Sequence, residues 1–205
     1  MENKLILNST ELTGIIGKNE MDKLSLVVEE KAWKEYRTKY ETATNLKDIN
    51  YPIQLDFELN ASCNLRCPMC PISVESPKGK GKNTWFDFDF YKDLIDFSVK
   101  KGTRAIKLNY INEPLIRGDF VKFIDYAKKK GILDIYFSTN GIFLKKKISE
   151  DLIKSGLTRL QVSIDAVTQQ TYEKVRPGGL LKTVIENLEN FFVTKEQLKS
   201  VTPLV

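Results

Sequence analysis

The sequence predicts an α/β fold built around a parallel sheet with helices packed on it. Short apolar strand patterns alternate with amphipathic helical patterns from Tyr51 onward, and polar residues recur where the strand patterns end. Such alternation is typical of parallel sheets. Hydrophobic residues make up 41% of the 205 residues, which is enough for one hydrophobic core.

The composition argues against a membrane protein, a secreted protein and a nucleic-acid-binding protein. No stretch approaches the roughly 20 apolar residues of a membrane span, and the first residues lack the apolar segment of a secretory signal. The net charge of +5 is modest, and most lysines follow helix faces, which favours a solvated surface over nucleic-acid binding. We therefore expect a cytoplasmic protein without membrane or nucleic-acid partners.

Residues 1–50 are predicted to form an N-terminal extension, and residues 51–205 the main domain. Apolar residues at approximately helical spacing predict an amphipathic helix in the extension that leans on the main domain. These positions are Leu24, Val27, Val28, Ala32, Trp33, Tyr36 and Tyr40.

The main domain is predicted to begin with a strand over residues 53–59, which leads into a loop containing all the cysteines. A linker rich in Lys, Gly and Pro follows, and its basic run at residues 78–82 is expected to be a solvated loop. Asp87 then starts a helix that ends before Gly102. The apolar face of this helix is predicted to carry Phe90, Leu94 and Phe97.

The same strand-and-helix unit recurs along the rest of the chain. Further strands are predicted over residues 104–110, 133–138 and 160–165, with the start of a fifth over residues 201–205. Further helices are predicted over residues 118–130, 148–155, about 168–175 and about 180–195. The inward positions of the helix over residues 118–130 are Phe120, Phe123, Ile124 and Ala127.

Polar side chains follow the predicted strands, at the edge where parallel sheets place ligand-binding groups. The candidates after the second, third and fourth strands are Asn112, Glu113, Ser138, Thr139, Asn140, Ser163 and Asp165. Taken singly, such residues can also form turns and helix caps. Their shared edge with the cysteine loop favours a binding site over those structural roles.

Cys63, Cys67 and Cys70 are the only cysteines of the chain and lie on one short loop. Three neighbouring thiolates form a soft, anionic pocket that suits iron–sulfur or zinc. An odd, clustered set argues against a disulfide framework. The chain contains no histidine, which excludes histidine-based catalysis and histidine metal ligands.

The spacing Cys63-x-x-x-Cys67-x-x-Cys70, with residues 58–62 before it, resembles the signature of the radical S-adenosylmethionine (radical SAM) superfamily. The resemblance runs from about Tyr51 to the end, and is strongest to the branch whose members often carry a C-terminal SPASM domain. It implies a partial (β/α)6 parallel barrel. It also implies a 4Fe-4S cluster on the three cysteines, whose open iron binds S-adenosylmethionine. Reductive cleavage of that cofactor would then yield a 5′-deoxyadenosyl radical that abstracts hydrogen from a substrate.

The resemblance also implies residues that bind S-adenosylmethionine. Met69 stands where the family often has an aromatic residue near the adenine. Residues 110–114 take the place of the family's Gly-Gly-Glu-Pro motif, whose backbone contacts the methionyl amino group. In this chain Ile111 and Asn112 replace the glycines, while Glu113 and Pro114 match.

Later positions are carried over in the same way. Residues 138–140 correspond to a family turn near the methionyl carboxylate and the ribose. Ser163 and Asp165 resemble residues that reach the ribose or the substrate. Arg176 either pairs with a carboxylate near the site or caps the end of a helix.

A complete core of this family has six βα units, so the resemblance implies a chain truncated near strand five. We expect such a chain to be weakly active or inactive unless another chain completes it. The implied partners are a small-molecule, sugar or peptide substrate and a reductant such as flavodoxin or ferredoxin. Two other classes remain open: a zinc protein with a fourth, non-histidine ligand, and a non-catalytic iron–sulfur or scaffold module.

Overall fold

The computed structural model describes residues 23–26, 28–44, 50–75 and 84–205. Within these ranges, four parallel strands form one sheet in the order β1-β2-β3-β4. The strands are β1 (Gln54–Asp56), β2 (Ala105–Lys107), β3 (Asp134–Thr139) and β4 (Arg159–Val162). The first four predicted strands are present, and β1, β2 and β4 are shorter than the sequence pattern indicated.

Helices connect the strands. In chain order they are α1 (Glu30–Thr44), α2 (Pro71–Glu75), α3 (Phe88–Lys101), α4 (Val121–Lys129), α5 (Lys146–Lys154), α6 (Gln169–Val175) and α7 (Leu181–Gln197). Short 3-10 turns cover Leu24–Leu26 and Pro114–Ile116. The sequence did not predict α2 or the second of these turns, since both are too short to show a periodic pattern.

The register of the sheet separates an apolar face from a polar one. Leu55, Ile106 and Ile135 are aligned across β1, β2 and β3, and they pack in the main core against the helices. Successive strand residues point to opposite faces, so the neighbouring row exposes polar groups on the other face. There, Tyr136 accepts a hydrogen bond from Gln54 at 2.9 Å, and the Arg159 guanidinium lies 3.7 Å from the centre of the Tyr136 ring.

Helix α3 begins and ends where the sequence predicts, but a different face is buried. Asp87 accepts the backbone N–H of Phe90 at 2.7 Å, and Gly102 ends the helix with a left-handed backbone at φ 108°. The prediction that Phe90 and Phe97 belong to the packed face is wrong, since these rings are 55% and 52% exposed. Tyr91 and Ile95, one stripe around, are fully buried. Apolar residues occur on more than one face of α3. The periodicity of the sequence therefore could not show which of these faces packs against α4.

The inward residues predicted for α4 are confirmed, because Phe120, Phe123, Ile124 and Ala127 are all fully buried. The Tyr91 hydroxyl donates to the Phe123 carbonyl at 3.0 Å, which joins α3 to α4. The two helices therefore cover the apolar face of the sheet as one layer.

The predicted N-terminal helix is present as α1. Trp33 and Tyr36 are buried against Ile53 and Ala105, which lie at the amino ends of β1 and β2. The Tyr36 hydroxyl also donates to Asp134 at 3.0 Å. This contact lies at the opposite end of the strands from the cysteine loop. Val27 and residues 78–82 lie outside the described residues, and the division of the chain at residue 50 remains a prediction.

The predicted fifth strand is reduced to a single parallel bridge between Leu204 and Arg159. The Leu160 N–H donates to the Leu204 carbonyl at 2.7 Å, and the Leu204 N–H donates to the Thr158 carbonyl at 2.9 Å. The end of the chain thus lies beside β4. Among the described residues, no helix is both long and apolar enough to cross a membrane.

Candidate functional site

A cavity of about 220 Å³ opens at the carboxyl ends of the strands. Every residue predicted from the sequence to bind metal or cofactor lines it: Cys63, Cys67, Met69, Cys70, Asn112, Glu113, Ser138, Thr139, Asn140, Ser163 and Asp165. Asn109, Tyr110, Ile111 and Arg176 complete the lining. The fold therefore brings the separate polar signatures into one place, as their positions after parallel strands predicted.

The cysteine loop is held by its own backbone and by Arg66. The Cys70 N–H donates to the Cys67 carbonyl at 2.9 Å, which closes a tight turn. Arg66 donates to the carbonyls of Cys63 and Leu65 at 2.8 and 2.6 Å. These bonds turn the carbonyls toward the guanidinium and leave the three thiols on the cavity side.

The thiols lie in a partly dry environment. Cys67 is 8% exposed, and burial raises the pKa of both the Cys63 and Cys67 thiols. The Arg176 guanidinium acts in the opposite direction on Cys67, because it favours the thiolate. Metal binding needs thiolates, so loading this site would release protons.

Glu113 joins the loops that follow β2 and β3. Its carboxylate accepts the Thr139 hydroxyl at 2.8 Å, the Asn140 N–H at 2.7 Å and the Leu115 N–H at 3.1 Å. The residue is 1% exposed, and burial raises the pKa of its carboxyl. Both carboxylate oxygens are thus engaged within the protein, so Glu113 shapes the wall of the cavity.

A second carboxylate sets the backbone that replaces the family's glycines. Glu58 accepts the N–H groups of Tyr110 and Ile111 at 3.0 and 2.9 Å. Burial raises the pKa of Glu58, against the effect of these hydrogen bonds. Asn112 donates to the Asn60 carbonyl at 2.8 Å. The loop is therefore tied at both ends to the segment that leads into the cysteine loop.

Asparagines connect the remaining walls. The Asn140 amide donates to the side-chain oxygen of Asn64 at 2.8 Å, which links the turn after β3 to the cysteine loop. Asn109 exchanges two hydrogen bonds with the backbone of Ser138, at 2.8 and 3.0 Å. Asn109 was not selected from the sequence, because it lies inside the strand predicted over residues 104–110. A polar side chain near the carboxyl end of that strand was the available signal.

Arg176 fulfils both roles that the sequence left open. Its N–H donates to the Tyr172 carbonyl at 2.7 Å and so caps α6. Its guanidinium pairs with Asp165 and lies 3.9 Å from the Cys67 sulfur. Asp165 has a left-handed backbone, with φ 59°, three residues after the end of β4. A charged pair thus stands at the edge of the cavity nearest Cys67.

The profile of the radical SAM superfamily matches residues 58–194, which is more than half of the chain. The chain belongs to the radical SAM superfamily. The matched span begins just before the cysteine loop and includes every residue that lines the cavity. Members of this superfamily use a 4Fe-4S cluster and S-adenosylmethionine.

Curated relatives within the radical SAM superfamily differ in what they are named for. A probable GTP 3′,8-cyclase of Methanococcus maripaludis is 31% identical over 131 residues, covering 64% of this chain and 42% of that protein. The mycofactocin maturase MftC of Mycolicibacterium smegmatis is 29% identical over 148 residues, covering 70% of this chain and 35% of that protein. The chain thus spans about two fifths of the length of these relatives or less.

A solved structure shows the same radical SAM fold. Streptococcus suis SuiB bound to S-adenosylmethionine matches with a TM-score of 0.60 at 14% identity, covering 80% of this chain and 36% of that chain. At this identity the likeness shows the fold alone. The predicted α/β radical SAM architecture is confirmed by this match together with the parallel sheet.

The donor set of this radical SAM site fits a cluster and a polar ligand. Among the described Cys, Asp and Glu side chains, no three converge closely enough to hold a single metal ion. A 4Fe-4S cluster does not need such convergence, because each thiolate binds a different iron. The buried Asn112 Oδ1 and Arg176 Nε atoms also have no hydrogen-bond partner in the described part of the chain. They leave one acceptor and one donor available at the cavity.

Proposed function

We propose that this chain forms the cluster-binding and S-adenosylmethionine-binding part of a radical SAM enzyme. Cys63, Cys67 and Cys70 would be the cluster ligands. The observation that carries the proposal is that these thiols and the polar ends of β2, β3 and β4 line one cavity. When bound, the cluster and S-adenosylmethionine would supply a 5′-deoxyadenosyl radical for hydrogen abstraction from a substrate.

The protein's contribution is to hold the walls of the site in place. Glu113 ties the loop after β2 to the turn after β3, and Asn140 ties that turn to the cysteine loop. Glu58 holds the backbone of residues 110–111. A preorganised polar wall costs little reorganisation when a charged ligand binds. We therefore assign these three residues to positioning the site.

The cavity also offers groups that can recognise S-adenosylmethionine. The buried Asn112 Oδ1 has no partner among the described residues and can accept from an ammonium group. Ser138, Ser163 and Asp165 line the same cavity with hydroxyl and carboxylate groups suited to a ribose. Met69 is 59% exposed, so its flexible thioether is free to cover an adenine ring.

The substrate of this site would be a small molecule, sugar or peptide. The relatives include a protein named as a GTP cyclase and another named as a maturase, and SuiB has been solved bound to its precursor peptide SuiA. The chain spans less than half of each of these proteins, so we propose no narrower substrate class than these three. A low-potential one-electron donor, such as flavodoxin or ferredoxin, would supply the electron.

Anaerobic reconstitution with iron and sulfide tests the proposal. We expect about four irons and four sulfides per chain, the stoichiometry of a 4Fe-4S cluster. Changing any one of Cys63, Cys67 or Cys70 to Ser should abolish this cluster. Met69→Leu is the matched control, since it alters the same loop but leaves the thiols intact. We expect Met69→Leu to keep the full iron content.

The other classes give different results. Colourless, iron-free protein with one zinc per chain after oxygen-free purification would show a zinc site instead. A cluster whose electron paramagnetic resonance spectrum is unchanged by S-adenosylmethionine would show a non-catalytic iron–sulfur module. Asn112→Leu provides a further check, because it removes the Oδ1 acceptor at the cavity and should weaken the binding of S-adenosylmethionine.

A further inference from the structure

Arg176 places a positive charge beside one particular cysteine. Its Nη1 atom lies 3.9 Å from the Cys67 sulfur, within the range of a hydrogen bond to sulfur. The side chain is only 11% exposed, so solvent screens this charge weakly. Its Nε atom is buried without a partner among the described residues.

The position of Arg176 is enforced by the fold on both sides. Its backbone ends α6, and the turn that follows packs on the cysteine loop: the Arg66 N–H approaches the Pro177 carbonyl at 3.5 Å. At the other end of the side chain, the guanidinium pairs with Asp165. A long, flexible side chain is thereby held between two fixed points, which preserves its distance from the sulfur.

Asp165 is the charge that opposes Arg176. Its carboxylate is 45% exposed, so solvent screens it more than it screens the guanidinium. In this ion pair the Arg176 guanidinium is buried beside the Cys67 sulfur, whereas the Asp165 carboxylate reaches solvent. The contribution of this ion pair at the Cys67 sulfur is therefore net positive, and its strength depends on both partners.

We propose that Arg176 and Asp165 together set the reduction potential of the cluster that Cys67 binds. The inference rests on the proposed function, because it requires a 4Fe-4S cluster on the cysteines. Reduction adds one electron from the external low-potential donor, and no proton or bond change accompanies it. A hydrogen bond or positive charge at a ligand sulfur stabilises the reduced state and raises the potential. Arg176 would raise it, and Asp165 would limit the rise.

A purely structural role for the pair makes a different prediction. If the ion pair only held the loop after β4, removing either partner would loosen the same contact, and both variants would shift the cluster in the same direction or not at all. An electrostatic role predicts opposite shifts. The sign of the change therefore separates the two roles.

The test is a redox titration of the reconstituted 205-residue chain, in which electron paramagnetic resonance measures the fraction of reduced cluster. For Arg176→Gln we expect reduction to become about tenfold less favourable, which corresponds to a potential about 59 mV lower for a one-electron couple. Asp165→Asn should raise the potential, because the amide still accepts from Arg176 but no longer balances its charge. Arg176→Lys should fall between wild type and Arg176→Gln, since it keeps the charge but not the planar donors.

Lys174→Gln is the matched control, since it removes an exposed positive charge from the same helix. It should leave the potential unchanged. Circular dichroism of each variant shows whether it is folded before its cluster is titrated. Equal potentials in wild type, Arg176→Gln and Asp165→Asn would overturn the inference and leave the proposed function intact. A wild-type chain that assembles no 4Fe-4S cluster would overturn both.

Discussion

Gly141 lies at the turn that closes one wall of the cavity, and replacing it by Ala should destabilise the protein strongly. Its φ of 78° is a left-handed conformation that side chains disfavour. An added Cβ would also lie 2.9 Å from Val184 Cγ1 and 3.1 Å from Val162 Cγ1. Both valine atoms belong to packed side chains between β4 and α7, so neither can move away freely.

The magnitude follows from the two effects. A left-handed backbone costs a residue with a Cβ about 1–2 kcal/mol, and overpacking a dense region costs about 1–3 kcal/mol. We therefore expect Gly141→Ala to lower the free energy of unfolding by about 2–5 kcal/mol. The turn also carries Asn140, which donates to Asn64 on the cysteine loop. The same substitution should therefore weaken cluster retention.

Two other glycines separate these contributions. Gly131 has φ 91° but nothing within 4 Å of an added Cβ, so Gly131→Ala should cost only the backbone strain. Gly118 has neither a left-handed backbone nor a nearby atom, so Gly118→Ala should be neutral or slightly stabilising. Urea unfolding of the chain without cluster, followed by circular dichroism, measures all three. If Gly141→Ala costs no more than Gly131→Ala, the packing part of the reasoning is wrong.

Three further predictions concern charged groups. Asp134→Asn should lower the free energy of unfolding by about 3–5 kcal/mol, because it leaves the Arg159 guanidinium without its buried partner. Glu113→Gln should cost about 1.5–3 kcal/mol, since either orientation of the amide points an N–H₂ group at a backbone N–H. The neighbouring Arg117 lowers the pKa of Asp119 to about 2. The stability from Asp119 is thus present above its ordinary pKa of about 3.9 and lost as the pH falls toward 2, and Asp119→Asn should reduce that loss.

The first two effects are measured by urea unfolding at neutral pH, and the third by unfolding at a series of pH values below 5. Glu189→Gln makes the same chemical change as Glu113→Gln on the exposed face of α7, and it should leave stability unchanged. A wild-type unfolding midpoint for Asp134→Asn would contradict the buried ion pair. Parallel acid profiles for wild type and Asp119→Asn would show that the Arg117 contact does not form in solution.

Much of the site could be predicted because its chemistry is local in sequence. The cysteine spacing, the strand before it and the missing histidines are all visible in the chain itself. The convergence of residues 112–113, 138–140 and 163–165 also followed from the sequence, because parallel strands present their carboxyl ends at one edge. The structure places all of them on one cavity.

Other features depend on contacts that no local pattern records. Helix α3 carries apolar residues around most of its circumference, so the choice of Tyr91 over Phe90 for the core was made by packing against α4. Asn109 has little in the sequence that separates it from other strand residues, yet its side-chain amide forms two hydrogen bonds with the backbone of Ser138. The strand predicted at residues 201–205 is reduced to one bridge to β4, and Pro203 within it has no N–H to donate to a ladder.

The sequence by itself determined the kind of site: three thiols on one loop, without histidine, at the start of a βα series. Which side chains can bind a metal follows from residue type and spacing, and both can be read from the sequence. Only the tertiary structure decided which groups act on those thiols. Arg176 lies 109 residues from Cys67 along the chain, yet its guanidinium reaches the sulfur. Electrostatic influence depends on distance and burial, and both are set when the chain folds.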